Sequence, residues 1–231
     1  MFPTLRQVME DLERAGDLRR IDAPVDPNQE LAALLSLTES GPATVATRVV
    51  GSPFPVVANL VNSRDRLARS VGLNTGALTD ALIGAVARPV PPVPAPGPAP
   101  VQTVVCEPRL DRLPVPRFFE LETGPYITGG VTLVRDAVNG QRNLSFARYK
   151  VLSATRAMLG VSPNHHLGQM ARRAQAVGQD LPVAVAIGVH PAIMLAACLY
   201  LGFGEDELEC AGALMGGPVE TVPGVSVDVA V

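Results

Sequence analysis

Cysteine is scarce in this chain: Cys106, Cys198 and Cys210 are the three among 231 residues, and none belongs to a CxxC pair. An odd number without such a pair argues against a disulfide framework and fits a reducing cytoplasm. Charge is sparse too. Charged residues make up 18% of the chain, the formal net charge is −3, and no basic block occurs. The electrostatic footprint of a nucleic-acid binder is therefore missing. The N-terminal run Met1-Phe2-Pro3-Thr4-Leu5-Arg6 enters an amphipathic pattern directly, without the apolar core of a signal peptide. The apolar segment Val183 to Tyr200 is interrupted by His190-Pro191 and divides into strand-like and helix-like pieces, which excludes a membrane span. What is there is a chain 47% apolar, long enough to bury a substantial core as one large domain or two small ones. Small-molecule chemistry is the default expectation.

Local signals give an outline. Thr4 and Gln7 form a capping box ahead of Leu5, Val8, Met9 and Leu12 at helical spacing, and Gly16 closes that helix. Asp26-Pro27 predicts a second helix, with Asp26 as N-cap and Pro27 at its first position, leading into Leu31 to Leu37. A strand is expected over Phe54 to Leu60 and a third helix near Leu78 to Ala87. Between Pro89 and Pro100 proline takes about every second place, predicting a stiff extended connector draped over a surface. A proline-motif ligand is disfavoured, because no Arg or Lys flanks the prolines in the usual manner. Gly130 to Arg135 and Leu144 to Arg148 flank Asn139-Gly140, a hairpin signal. A helix from His166 to about Val177, a strand Val183 to Gly188 and a helix opened by Pro191 follow, with His190 at that helix start and Cys198 as a small core residue. Alternation over Val225 to Val231 predicts a strand left unfinished at the chain's last residue. The fold class is α+β: a small α/β region over residues 1–100 that ends in the proline-rich connector, then a second unit over residues 101–231.

The residues most able to carry chemistry are Asn143, Arg148, His165, His166 and Glu207. An amide oxygen from Asn143, a ring nitrogen from His166 and a carboxylate from Glu207 suit a hard divalent ion such as Mn²⁺ or Mg²⁺, with phosphate oxygens completing the shell. Each residue also has a plain structural explanation. Asn143 can end the hairpin, paired histidines can pack at a helix start, Arg148 can lie on the surface, and Glu205 to Glu209 can be a solvated acidic helix start. Strand parity would put Asn143, Ser145 and Ala147 on one face and Leu144, Phe146 and Arg148 on the other, unless a bulge re-aims one of them. Gly202-Phe203-Gly204 invites comparison with a dinucleotide fingerprint, but Glu207 occupies the third glycine position and the strand-turn-helix context is poor.

Leu113-Pro114-Val115-Pro116, Gly129-Gly130, Asn143 to Arg148, Leu181-Pro182-Val183-Ala184 and Gly212-Ala213-Leu214-Met215-Gly216, in this order, resemble the UbiD family of decarboxylases. The resemblance spans most of the chain and is most specific from Leu113 onward. It implies a split β-barrel of flavin-reductase type over residues 101–231, and prenylated FMN held through its phosphate by Mn²⁺ (or Mg²⁺) together with K⁺. It implies Asn143, His166 and Glu207 as divalent-metal ligands, and Leu144, Ala196, Leu199 and Glu207 as a potassium set, the first three through backbone carbonyls. Ser145, Phe146, His165 and Leu199 fall where the family contacts the cofactor, and Arg148 resembles the arginine of its catalytic Glu-Arg-Glu/Asp set. His166 is preferred over His165 on its spacing to Gly178, and their adjacency leaves a one-residue ambiguity.

The activity so implied is reversible, non-oxidative decarboxylation of an α,β-unsaturated or (hetero)aromatic acid. A flavin prenyltransferase would supply the cofactor, and the full-length protein would be a homo-oligomer. The resemblance places the two acidic partners of the arginine beyond Val231, so the 231 residues by themselves are expected not to turn over. A split-barrel flavin oxidoreductase and a non-catalytic assembly fragment stand as the other readings.

Overall fold

The computed structural model describes residues 4–231. Residues 1–3, part of the N-terminal run read above, lie outside the described residues. Helix α1 (Leu5–Arg14) begins at the expected capping box: the Thr4 side chain accepts from the Gln7 N–H while the Gln7 side chain returns to the Thr4 backbone. Its buried Val8 and Leu12 pack with Ala43 and Leu60, against a sheet of β1 (Leu18–Ile21), β2 (Ala43–Ala46) and β3 (Val56–Ala58). In that sheet β1 runs parallel and β3 antiparallel to the central β2. The expected strand at 54–60 is thus shorter at both ends.

Asp11, nearly buried on α1, bonds the Arg69 guanidinium and lies 3.5 Å from that of Arg14. The Arg69 hydrogen bond holds the Asp11 carboxyl below the usual carboxylate range, against a burial effect of opposite sign. Because the folded value is the lower one, the bridge contributes stability above the unfolded value of about 3.9 and loses it as pH falls through the folded value. Urea midpoints should therefore fall from neutral pH to about pH 3 more steeply in the wild type than in Asp11→Asn. Equal slopes would show that the bridge contributes nothing.

The second helix departs from expectation. Helix α2 spans Glu30–Leu37, and its N-cap is Gln29 at φ 71° rather than Asp26. Pro27 to Gln29 are held by another segment: the Arg117 N–H donates to the Pro27 carbonyl and the Gln29 N–H to the Arg117 carbonyl, at 2.9 and 3.0 Å. Asp26 instead accepts from the Asn28 N–H and closes a local turn. A long-range strand-like pairing has overridden a local cap signal.

Helices α3 (Arg64–Ser70) and α4 (Leu78–Ala87) lead into the proline-rich connector. The connector is pinned as well as extended. Val90 and Ala95 donate to the carbonyls of Glu209 and Thr221, and a two-residue strand β4 (Val93–Pro94) forms within it.

The following unit is built on the expected hairpin. Strands β6 (Gly130–Arg135) and β7 (Arg142–Phe146) pair antiparallel across a turn containing Gly140 at φ 73°. Strand β10 (Val183–Ile187) adds antiparallel to the other edge of β6. The predicted strand 144–148 is divided at Ala147: Arg148 opens β8 (Arg148–Ser153), which pairs with β5 (Tyr126–Ile127) and β9 (Arg156–Gly160) in a separate sheet. Among the described residues of this unit the ladders of β5 to β10 therefore form two three-stranded sheets rather than one closed barrel. A buried hydrogen bond of 2.8 Å from β6 to β8, between the Thr132 and Tyr149 hydroxyls, ties the two sheets across this break.

Helix α5 (His166–Ala176) lays Leu167 and Met170 on Val134. Helices α6 (Pro191–Ala196) and α7 (Glu207–Met215) pack with α4 in the largest apolar cluster, around Leu133, Leu144, Leu208 and Leu214. After α7 comes β11 (Glu220–Thr221), parallel to β4. His190 caps α6 as expected, its Nδ1 accepting from the Ala192 N–H at 3.1 Å. Cys198 is exposed, contrary to expectation, and Cys210 on α7 is the buried cysteine. Residues 225–231 form no strand. They turn back at Gly224, whose N–H donates to the Val229 carbonyl at 2.9 Å, while Val222 and Val231 exchange two backbone bonds of 2.8 Å. Alternation gave way to this fold-back, which brings Val229 into the main core. No helix among the described residues is long and apolar enough to cross a membrane.

Candidate cofactor and metal site

Two elements far apart in sequence make the centre of the site. Asp206 caps α7 by accepting from the Leu208 N–H, and its carboxylate lies 3.4 Å from the Arg142 guanidinium at the start of β7. The next residue along each element meets the other in turn. Glu207 accepts from Asn143 Nδ2 at 2.7 Å and from the Leu144 N–H at 2.8 Å. Glu207 is 2% exposed, and burial pushes its carboxyl up to about 7 against the opposing pull of those two donors. A carboxylate so deeply placed is stabilised most by a neighbouring cation.

The orientation of Asn143 follows. With Nδ2 committed to Glu207, Oδ1 is left buried without a hydrogen-bond partner, and so is Ser145 Oγ two residues along. A buried amide oxygen with both lone pairs free, beside a buried carboxylate, is a donor set suited to a hard cation. The residues therefore fit a divalent metal.

Around this centre lies a cavity of about 210 Å³. It gathers Asn143, Leu144, Ser145, Phe146, His165, His166, Leu199 and Glu207, all named from sequence, and adds Ser162, Asn164 and Tyr200. Both histidines therefore face one space. His165 is the N-cap residue of α5 and stacks edgewise on Tyr200 at 6.4 Å, whereas His166, its first residue, stacks edgewise on Phe203 at 5.3 Å. Asn164 belongs to the Asn164-His165-His166 run visible in the sequence, whereas Tyr200 and Ser162 carried no periodic or motif signal that would have found them.

Two expected residues are not brought into the cavity lining. Ala196 is fully buried at the end of α6, its carbonyl accepting from the Leu199 N–H at 2.9 Å. Arg148 is exposed at the start of β8, next to Ala147, which does line the cavity. Glu207 is the sole carboxylate in that lining. A phosphate held there would be repelled by it unless a cation stood between them.

Comparison with known proteins gives the family. Residues 94–231 match the family model of the 3-octaprenyl-4-hydroxybenzoate carboxy-lyase Rift-related domain, and residues 9–86 match that of the same enzyme's N-terminal domain. The chain belongs to the UbiD family. Anhydromevalonate phosphate decarboxylase from Methanothermobacter thermautotrophicus is 32% identical over 180 residues, which are 78% of this chain and 42% of that protein. The UbiD-class enzyme HmfF from Pelotomaculum thermopropionicum, solved in complex with FMN, is 36% identical with a TM-score of 0.92, over 98% of this chain and 52% of that one. An evolved dimeric form of HmfF, solved with prFMN, superposes with a TM-score of 0.94 at 36% identity, over 99% of this chain and 54% of that one. The chain thus spans about half the length of the UbiD proteins it matches.

Proposed function

We propose that this chain is the cofactor-holding part of a prenylated-FMN-dependent decarboxylase acting on an α,β-unsaturated or (hetero)aromatic carboxylic acid. The observation that carries the reading is the Asn143 amide, turned by Glu207 so that its buried oxygen is left for a cation beside a cavity that also takes in His166. Asn143, His166 and Glu207 would hold Mn²⁺ or Mg²⁺, which in turn would hold the flavin phosphate. Leu144, Leu199 and Ala196 carbonyls with Glu207 would serve K⁺. The two sheets meeting at Ala147 would act as halves of a flavin-binding split barrel, with Ser145, Phe146 and His165 on the cofactor. When bound, the prenylated flavin supplies an electron sink for the carbanion left by CO₂ loss.

The chain's own residues bind and orient. Arg148, just past the cavity wall, would take the substrate carboxylate in its two-pronged guanidinium and point it at the flavin. Proton delivery to the product carbon needs a carboxylic acid within reach of it. Glu207 is committed to Asn143 and Leu144, so that acid would come from outside the cavity lining. A flavin prenyltransferase as supplier and a homo-oligomeric state complete the proposal.

The test is retention of Mn²⁺ and flavin after co-expression with a flavin prenyltransferase. Asn143→Ala and His166→Ala should each abolish retention, and unchanged retention in both would sink the ligand assignment. Flavin bleaching by a nicotinamide donor without CO₂ release would point to an oxidoreductase instead.

A further inference from the structure

The Gly202-Phe203-Gly204 segment makes poor sense as a nucleotide loop, yet its phenylalanine occupies a particular place. The Phe203 ring stands at 90° to the His166 imidazole with centroids 5.3 Å apart, inside the favourable range for edge-to-face pairs. On the same Phe203 ring sits the Arg173 guanidinium, 5.6 Å from the centroid. Arg173 lies seven residues after His166 on α5, hence on the same helix face two turns away. Its Nε is 2.8 Å from Asp136 Oδ2, and the Asp136 side chain is fully buried, its other oxygen accepting from the Val138 N–H at 2.7 Å. The Phe203 loop is tied from the hairpin as well, by Gln141 Nε2 donating to the Gly204 carbonyl.

Histidines that bind metals ordinarily have their ring fixed by a hydrogen bond from the second nitrogen to a carboxylate or carbonyl. Among the described residues His166 makes no such bond, and its ring contact is Phe203. We propose that Phe203, braced by Arg173 and through it by Asp136, is a positioning residue that sets the His166 imidazole for the metal in place of that hydrogen bond. The inference rests on His166 being a metal ligand, as proposed above. Phe203 is 38% exposed, so it contributes little to the core and its replacement should spare folding. Gly204, directly after Phe203, takes φ 98°, a backbone conformation that favours glycine.

The test measures Mn²⁺ affinity of the chain in the presence of FMN, by the electron paramagnetic resonance signal of free Mn²⁺, with the thermal midpoint followed in parallel. Phe203→Leu should weaken Mn²⁺ binding about 10-fold, the lower end of the range for partners of metal ligands, at an unchanged midpoint. Phe203→Tyr, which keeps the aromatic ring, should restore the affinity, and Arg173→Met should weaken it where Arg173→Lys does not. Wild-type affinity in Phe203→Leu, with binding lost in His166→Ala, would overturn the positioning role alone. Wild-type affinity in His166→Ala would overturn the ligand assignment and this role with it. Failure of Phe203→Tyr to rescue would also overturn it, because an aromatic ring at this position would then not be what His166 needs.

Discussion

Gly168→Ala should cost the protein both stability and its cofactor site. A Cβ on Gly168 would lie 2.2 Å from the Ser162 carbonyl oxygen and 3.0 Å from Pro163 Cα, distances at which backbone must move. The obstacle is not a flexible side-chain end but the turn leading to Asn164 and His165. His165 is itself tied to that turn, its N–H donating to the Ser162 carbonyl at 3.3 Å. Forcing a methyl group into such a contact costs roughly 1–3 kcal/mol. The larger loss is positional. Ser162, Asn164, His165 and His166 all line the cavity, and a shift of about 1 Å in a binding constellation is enough to lower function by two orders of magnitude. Urea denaturation should show the first effect, and FMN titration in the presence of Mn²⁺ the second. A variant that binds FMN and Mn²⁺ like the wild type would mean that the turn relaxes away from the site.

Glu207→Gln should separate binding from folding. The introduced amide keeps the volume and places no charge in a buried position, so stability should stay within about 1 kcal/mol of wild type. Metal binding should fall by at least about 100-fold, the upper end of what loss of a ligand's supporting partner costs. Two causes act together. The carboxylate that would meet the cation is gone, and Asn143 can satisfy the introduced NH₂ only by turning its own amide over. Its Oδ1 would then be spent on residue 207, with Nδ2 left where the metal needs an acceptor. Mn²⁺ titration monitored alongside thermal melting decides the point, and undiminished affinity would remove Glu207 from the ligand set.

Local patterns made some of this legible in the sequence. The hairpin is announced by Asn139-Gly140 between two strand patterns, α1 follows its capping box, and α4, α5 and β10 follow their own local patterns within a residue or two. Elements governed by distant partners were not legible. Asp26 looked like a helix cap because nothing local shows that Arg117 takes the backbone of Pro27 and Gln29. Val225 to Val231 alternated like a strand, but Gly224 lets the chain fold back on itself there. Glu207 was the hardest residue to read, since an acidic run before a helix is ordinarily solvated. Only the pairing of β7 with the start of α7 buries it, and that pairing joins residues more than sixty positions apart. The resemblance to a family named Glu207 where spacing and composition could not.

The break at Ala147 has a further consequence for how such a protein can diversify. The proposed anchoring residues sit on β7 and the starts of α5 and α7, while Arg148 begins a different sheet, so holding the cofactor and meeting the substrate would fall to separate mechanical parts. On the proposed reading, substitutions along β8 and β9 short of Gly160, which lines the cavity, would alter which acid is accepted without disturbing the grip on the flavin phosphate. A library confined to those positions should retain cofactor throughout, with the variation appearing in substrate choice.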